Sequence, residues 1–289
     1  MQADKAMGLC SRTKPEPLLT HALKAVVFDL DDTLVVEVAA AEAAFLETAG
    51  LAADQYNLDV QSLVKAVREH ARPLWHASPA REYCLRIGVS SWEGLWARYE
   101  GDDPNLEILR DWGPTYRLGA WSAALEQFEI HDPALALALA EDFPKRRRQH
   151  HYLYPDVLPV LQSLRRRFRL GLVTNGLSCL QREKIQGVGI APHFDSIAIS
   201  GDLGIGKPQP AIFHAVLDPL GVRPDQALMI GNSIKADVGG AQAAGMKAIL
   251  IDRGDPHGGD DSIKPDAIVH DLVGLAAYLR LPRDPRGTE

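Results

Sequence analysis

From residue 155 onward, five short apolar runs alternate with helical stretches, and no other feature restricts the fold as tightly. The runs are "LGLVT" (170–174), "SIAIS" (196–200), "ALMIG" (227–231), "KAILI" (247–251) and "DAIV" (266–269). Helical patterns over 177–187 and 210–220 separate the first three. Strand and helix in alternation predict a parallel sheet covered on both faces. "KAVVF" (24–28) reads as a further buried strand, far from the others in sequence. Between it and residue 155 the pattern is helical. "EVAAAEAAFLETAG" is rich in helix formers and reaches a helix stop at Gly50. "NLDVQSLVKAVREHARPLW" repeats Val60, Leu63, Val64 and Val67 at helical spacing, and Asp132-Pro133 opens another helix. Val157, Val160, Leu161, Leu164 and Phe168 share one face of a helix before the first run.

The predicted fold class is therefore α/β: a Rossmann-like parallel sheet core with an inserted α-helical domain. The predicted boundaries are an N-terminal tail over 1–20, a core over 21–36 and 155–280, a helical cap over 37–154 and a C-terminal tail over 281–289. Such sheets collect ligands at the carboxyl ends of their strands. Four strand ends carry chemistry here: "DLDDT", "TNG", "GDLGIGKPQP" and "GNSIKADVGGA". Together they bring carboxylates, a hydroxyl, a lysine and several glycines to one rim.

Asp29, Asp31 and Asp32 stand within four positions, and such crowding calls either for an exposed turn or for a cation among them. Magnesium takes oxygen ligands, keeps several waters and is the usual counter-ion where phosphate is handled. One carboxylate can attack phosphorus as a nucleophile while a neighbour serves as acid and base. Asp32 reads instead as a solvated residue or a local cap. The Thr174 hydroxyl, the backbone N–H groups of Asn175 and Gly176, and the Lys207 ammonium make a phosphate cradle. Asn232 and Asp237 offer two further oxygen donors, of which Asn232 carries no charge.

These four segments resemble the four motifs of the haloacid dehalogenase-like hydrolase superfamily, in its helical-cap phosphatase branch. "FDLDDTL" resembles the first motif, "LVTNG" the second, "GKPQPAIF" the third and "IGNSIKADVGGA" the fourth. The resemblance implies that Asp29 is the nucleophile and Asp31 the acid/base. It implies phosphate binding by Thr174, Asn175 and Lys207. It implies Mg2+ held by Asp29, the Asp31 backbone carbonyl, Asn232 and Asp237. Dehalogenases of the superfamily lack the second Asp of the first motif, so its presence points to phosphoryl transfer. The fourth motif usually begins Gly-Asp, whereas this chain has Gly231-Asn232; a direct ligand there would lose one negative charge. The activity expected is Mg2+-dependent hydrolysis of a small phosphomonoester through an aspartyl-phosphate. A phosphomutase, or a catalytically weakened protein that binds a phosphorylated ligand, is the alternative.

The remaining features bound this reading. A net charge of −7 disfavours nucleic acid as a partner. No apolar run approaches the roughly 18 residues of a membrane span, and the polar N-terminus does not read as a secretory signal. Cys10, Cys84 and Cys179 have neither disulfide nor zinc spacing, which suits a reducing cytoplasm. The five tryptophans, all between Trp75 and Trp121, read as the core of the helical insertion. "KRRRQHH" (145–151) and "RRRFR" (165–169) read as solvated helix faces, and the His257 loop as surface. The expected partner is a small phosphorylated metabolite; the sequence carries no signal for an oligomeric state.

Overall fold

In the computed structural model, which describes residues 22–254 and 262–281, six parallel strands form one sheet. Both predicted tails and the His257 loop lie outside the described residues, apart from Leu281. In chain order the elements begin with β1 (Ala25–Phe28) and α1 (Val38–Tyr56). Then come α2 (Val60–His76), α3 (Arg81–Ile87), α4 (Ser91–Gly94), α5 (Pro104–Glu126) and α6 (Pro133–Arg147). The chain continues with α7 (Val157–Leu164), β2 (Arg169–Thr174), α8 (Ser178–Gly187), β3 (Ser196–Ile199), α9 (Ser200–Leu203) and α10 (Pro210–Leu217). It ends with β4 (Ala227–Gly231), a π-helical turn (Ile234–Gly239), α11 (Gly240–Ala243), β5 (Lys247–Ile251), β6 (Ala267–Val269) and α12 (Leu272–Tyr278). The strand order is β3-β2-β1-β4-β5-β6.

β1 sits at the centre, with Val26 opposite Leu170 on one side and Leu228 on the other. Side chains alternate across the sheet. Val26 and Phe28 join α7 and α12 in one core, while Ala25 and Val27 join α10 and α11 in the other. The helices between β1 and β2 have a third core of their own, centred on Phe45, Trp96, Trp121 and Phe143. Leu177 and Leu180, at the start of α8, pack into that third core, so the insertion rests on the second strand's end. Its two connecting segments pair with each other. Val35 bridges Leu153 in antiparallel fashion, Val36 N–H donates to Tyr152 O at 2.9 Å, and Tyr154 N–H donates to Leu34 O at 3.1 Å. Among the described residues no helix is long and apolar enough to cross a membrane.

Three expectations need correction. Gly50 does not stop α1, which continues to Tyr56 and ends at Asn57 with φ 52°. A helical Gly costs only about 1 kcal/mol against Ala, and "LAADQY" beyond it favours helix. Asn57 tolerates the left-handed cap that closes the helix. "SIAIS" loses its last residue to α9, because the Ser200 hydroxyl donates to Ile87 O at 2.6 Å and accepts from Gly176 N–H at 2.8 Å. The "KRRRQHH" run is not a solvated face throughout: Arg147 is fully buried. It binds Glu37 at 2.5 Å and lies 4.8 Å from the Trp96 ring centroid.

Candidate active site

The carboxyl ends of β1, β2 and β4 and the loop before α10 enclose a cavity of about 270 Å³. Asp29, Asp31, Thr174, Asn175, Lys207, Asn232 and Asp237 all line it. Every site residue expected from the sequence is therefore in one place. Gly88, Ser90, Trp92 and Glu93 close the side formed by the insertion.

Local folding explains the convergence. Strand β1 ends at Phe28, and the next residue, Asp29, continues the ladder by donating its N–H to Ile230 O at 2.9 Å. Lys207 reaches in from the loop before α10. Its ammonium donates to the Asp29 carboxylate, to Asp237 Oδ1 at 2.7 Å and to Val173 O at 3.1 Å. Asp237 is held in turn, because its Oδ2 accepts from Ser233 N–H at 2.9 Å. Asp32 is the local cap: its Oδ1 accepts from the N–H groups of Glu37 (2.8 Å) and Val38 (3.1 Å) at the start of α1. It is buried rather than solvated.

The phosphate cradle differs in one donor from the expectation. Gly176 N–H is committed to Ile87 O at 3.0 Å and to Ser200 Oγ, so it does not face the cavity as a free donor. The Asn175 side chain is also occupied: Nδ2 donates to Lys207 O at 3.0 Å and Oδ1 accepts from Lys207 N–H at 2.8 Å. It shapes the loop that carries the lysine. A Cβ on Gly88, where φ is +77°, would stand 2.8 Å from Asn175 Nδ2. Only glycine lets the insertion approach this close.

Burial raises the Asp29 pKa to about 7; Lys207 pulls it down, while Asp237 and Asp31 push it up. For Lys207 burial opposes the charge, but Asp237 and Asp29 outweigh it and hold the pKa above the ordinary lysine value. Lys207 is thus a fixed positive charge among carboxylates, suited to an anion of high charge density.

Sequence reasoning missed a second buried lysine. Lys184 of α8 is completely shielded from solvent and contacts three carboxylates: Asp31 Oδ1 at 2.9 Å, Glu37 Oε1 at 2.9 Å and Glu93 Oε1 at 3.1 Å. Gln181, one turn earlier, donates to Asp31 Oδ2 at 2.8 Å and to Thr174 Oγ1 at 2.6 Å. Leu177, Leu180, Gln181 and Lys184 are all buried and stand at i, i+3, i+4 and i+7. That spacing was the available signal: two polar residues on the apolar face of a helix. Of the tryptophans, Trp75, Trp96 and Trp121 are core, as expected, while Trp92 also lines the cavity.

Among the described residues no three His, Cys, Asp or Glu side chains are drawn together as a metal cage. Asp29, Asp31, Asn232 and Asp237 each bring an oxygen donor to this cavity, and no histidine or cysteine lines it. Such a set fits magnesium, which uses few protein ligands and keeps water. It does not suit a thiolate- or imidazole-seeking metal.

The chain is 40% identical over 261 residues to a phosphoserine phosphatase of Thermus thermophilus, covering 89% of this chain and all of that one. It is 28% identical over 262 residues to the N-acylneuraminate-9-phosphatase of Mus musculus, covering 89% and 94%. In fold it is similar to the putative HAD-hydrolase YfnB from Bacillus subtilis, at a TM-score of 0.60 and 22% identity over 90% of this chain and 99% of that one. Residues 23–245 match the haloacid dehalogenase-like hydrolase family, and the chain belongs to that family of enzymes.

Proposed function

We propose that this protein is a Mg2+-dependent phosphatase of small phosphomonoesters, working through an aspartyl-phosphate on Asp29. One observation carries the reading: a single cavity holds two carboxylates of one loop, Asp29 and Asp31, against a buried, charged lysine, Lys207. An Asp29 oxygen attacks phosphorus in line, and the bond from phosphorus to the ester oxygen breaks. Asp31 gives its proton to the departing alkoxide. Asp31 then takes a proton from water, whose oxygen attacks phosphorus, releasing phosphate and restoring Asp29. Lys207 and the Thr174 hydroxyl bind the equatorial oxygens. Asp29, the Asp31 carbonyl, Asn232 and Asp237 would hold magnesium, which supplies positive charge against the phosphoryl oxygens. The helical insertion serves as a cap that excludes water and selects the leaving group through Ser90 and Trp92.

The relatives named above act on phosphoserine and on N-acylneuraminate 9-phosphate, so a small phosphorylated metabolite is the substrate class the reading supports. The test is phosphate release from a panel of O-phosphoserine, phosphoglycolate, glyceraldehyde 3-phosphate, N-acetylneuraminate 9-phosphate and 4-nitrophenyl phosphate. It is run with magnesium, with chelator and with Asp29→Asn. Magnesium-dependent turnover abolished by Asp29→Asn is the expected result. A folded protein that binds these esters without turning any over would refute it.

A further inference from the structure

We propose that Lys184 is a positioning residue for Asp31, and that the helical insertion sets its position through Glu93. The inference rests on the reading of Asp31 as the acid/base. The Asp31 carboxylate is gripped at both oxygens by α8: Oδ1 by Lys184 and Oδ2 by Gln181. Gln181 and Lys184 are three residues apart and so lie on one helix face. The Lys184 ammonium donates hydrogen bonds to Asp31 and Glu93 and pairs by charge with Glu37, so it faces three carboxylates from three parts of the chain. Asp31 comes from the core, Glu37 from the start of α1 and Glu93 from α4 within the insertion. The rings of Trp92 and Trp96 lie 5.8 and 6.0 Å from the ammonium, and the side chain is closed to water.

Glu93 is specifically aimed. Its Oε2 accepts from Ser90 N–H at 2.9 Å and from Ser90 Oγ at 2.8 Å in a capping box, which leaves Oε1 for Lys184. The same segment docks on the rim of the site through Ile87 O, which accepts from Gly176 N–H and from Ser200 Oγ. When the insertion is seated, Lys184 has three partners and holds Asp31 in one place. When Glu93 is withdrawn, the buried ammonium keeps only Asp31 and Glu37 and is drawn toward them. The acid/base is then displaced from the leaving-group oxygen. Asp31 is therefore correctly placed only under a seated insertion, which ties proton transfer to closure over the substrate.

A purely structural ion cluster and a positioning cluster respond differently to the leaving group. Nitrophenolate departs without a proton; an alkoxide does not. Asp29 attack on 4-nitrophenyl phosphate therefore needs no acid, while the water step that follows still needs Asp31 as base. Lys184→Met and Glu93→Gln are compared with wild type on the best alkyl ester of the panel above and on 4-nitrophenyl phosphate, by stopped flow. Circular dichroism follows folding. Glu93→Gln keeps the shape of the side chain, so it carries the test if Lys184→Met does not fold. General acid catalysis is worth about 10²–10⁴-fold. The expected result is at least an about 10-fold loss of kcat on the alkyl ester, with a retained burst of one equivalent of nitrophenolate before slow turnover. Equal losses in burst rate and alkyl turnover would overturn the proposal and leave a structural cluster. So would a Glu93→Gln enzyme within about twofold of wild type on both esters. Wild-type inactivity on every ester overturns the hydrolysis reading first, and this inference with it.

Discussion

Arg147→Met tests whether the two ends of the insertion are held together by buried charge. Glu37 begins the insertion and Arg147 ends its last helix; both side chains are shielded from water, at 2% and 0% exposure. Arg147 also donates to His150 O at 2.6 Å. Burial pushes the Glu37 pKa up, and Lys184 and Arg147 are the two cations that pull it down. Met keeps most of the arginine's volume but removes the charge, so Glu37 is left with Lys184, which is already shared with Asp31 and Glu93. At an effective dielectric of 20, unit charges at 4 Å interact by about 4 kcal/mol. Removing one partner of a buried pair costs about 3–5 kcal/mol. The two estimates agree, and neither is reduced by solvent screening here. Urea denaturation should therefore show a loss of about 3–5 kcal/mol for Arg147→Met. In combination with Glu37→Gln the cost should fall short of additivity by up to about 3 kcal/mol. A loss below about 1 kcal/mol, or additivity within about 0.5 kcal/mol, would refute the argument and class Arg147 with ordinary surface arginines.

Two further outcomes are expected. The raised Asp29 pKa, about 7, means that the folded state binds a proton more tightly than the unfolded chain. Its stabilising contribution is complete below the ordinary Asp pKa of about 4 and is lost as pH rises toward 7. In chelator, wild type should lose stability against Asp29→Asn over that interval and level off above it; a flat difference in melting temperature from pH 4 to 8 would contradict this. Asn232→Asp adds a negative donor to the cavity. A charge at a few Å is worth several kcal/mol before desolvation, so calorimetric magnesium affinity should rise by at least about 10-fold. Unchanged affinity would place residue 232 outside the metal's reach.

The strand-end residues were legible because their signals are local. Asp29, Thr174, Lys207 and Asp237 each end or follow a strand, or open a helix, within a few residues, and a parallel sheet brings such positions to one rim. The sheet itself was legible for the same reason, since an apolar run bounded by turn residues is short-range information. Local cues failed where a competing local choice existed. Gly50 carries a stop signal that the helix formers after it override, and Asn57 ends the helix instead.

What the sequence alone determined is therefore the α/β class, the family and the group of residues at the strand ends. What only the tertiary structure decided is which charges meet in the interior. Lys184 finds Glu93 across 91 positions and Asp31 across 153, and Arg147 finds Glu37 across 110. No pattern of spacing encodes such pairs. In water an arginine in "KRRRQHH" and one in "RRRFR" have the same solvation and read alike. Arg147 is drawn inside because Glu37 and Trp96 are there to meet it, whereas Arg165, Arg166 and Arg167 face no such partners in the core and stay at the surface. Burial of a charge depends on partners supplied by the rest of the fold.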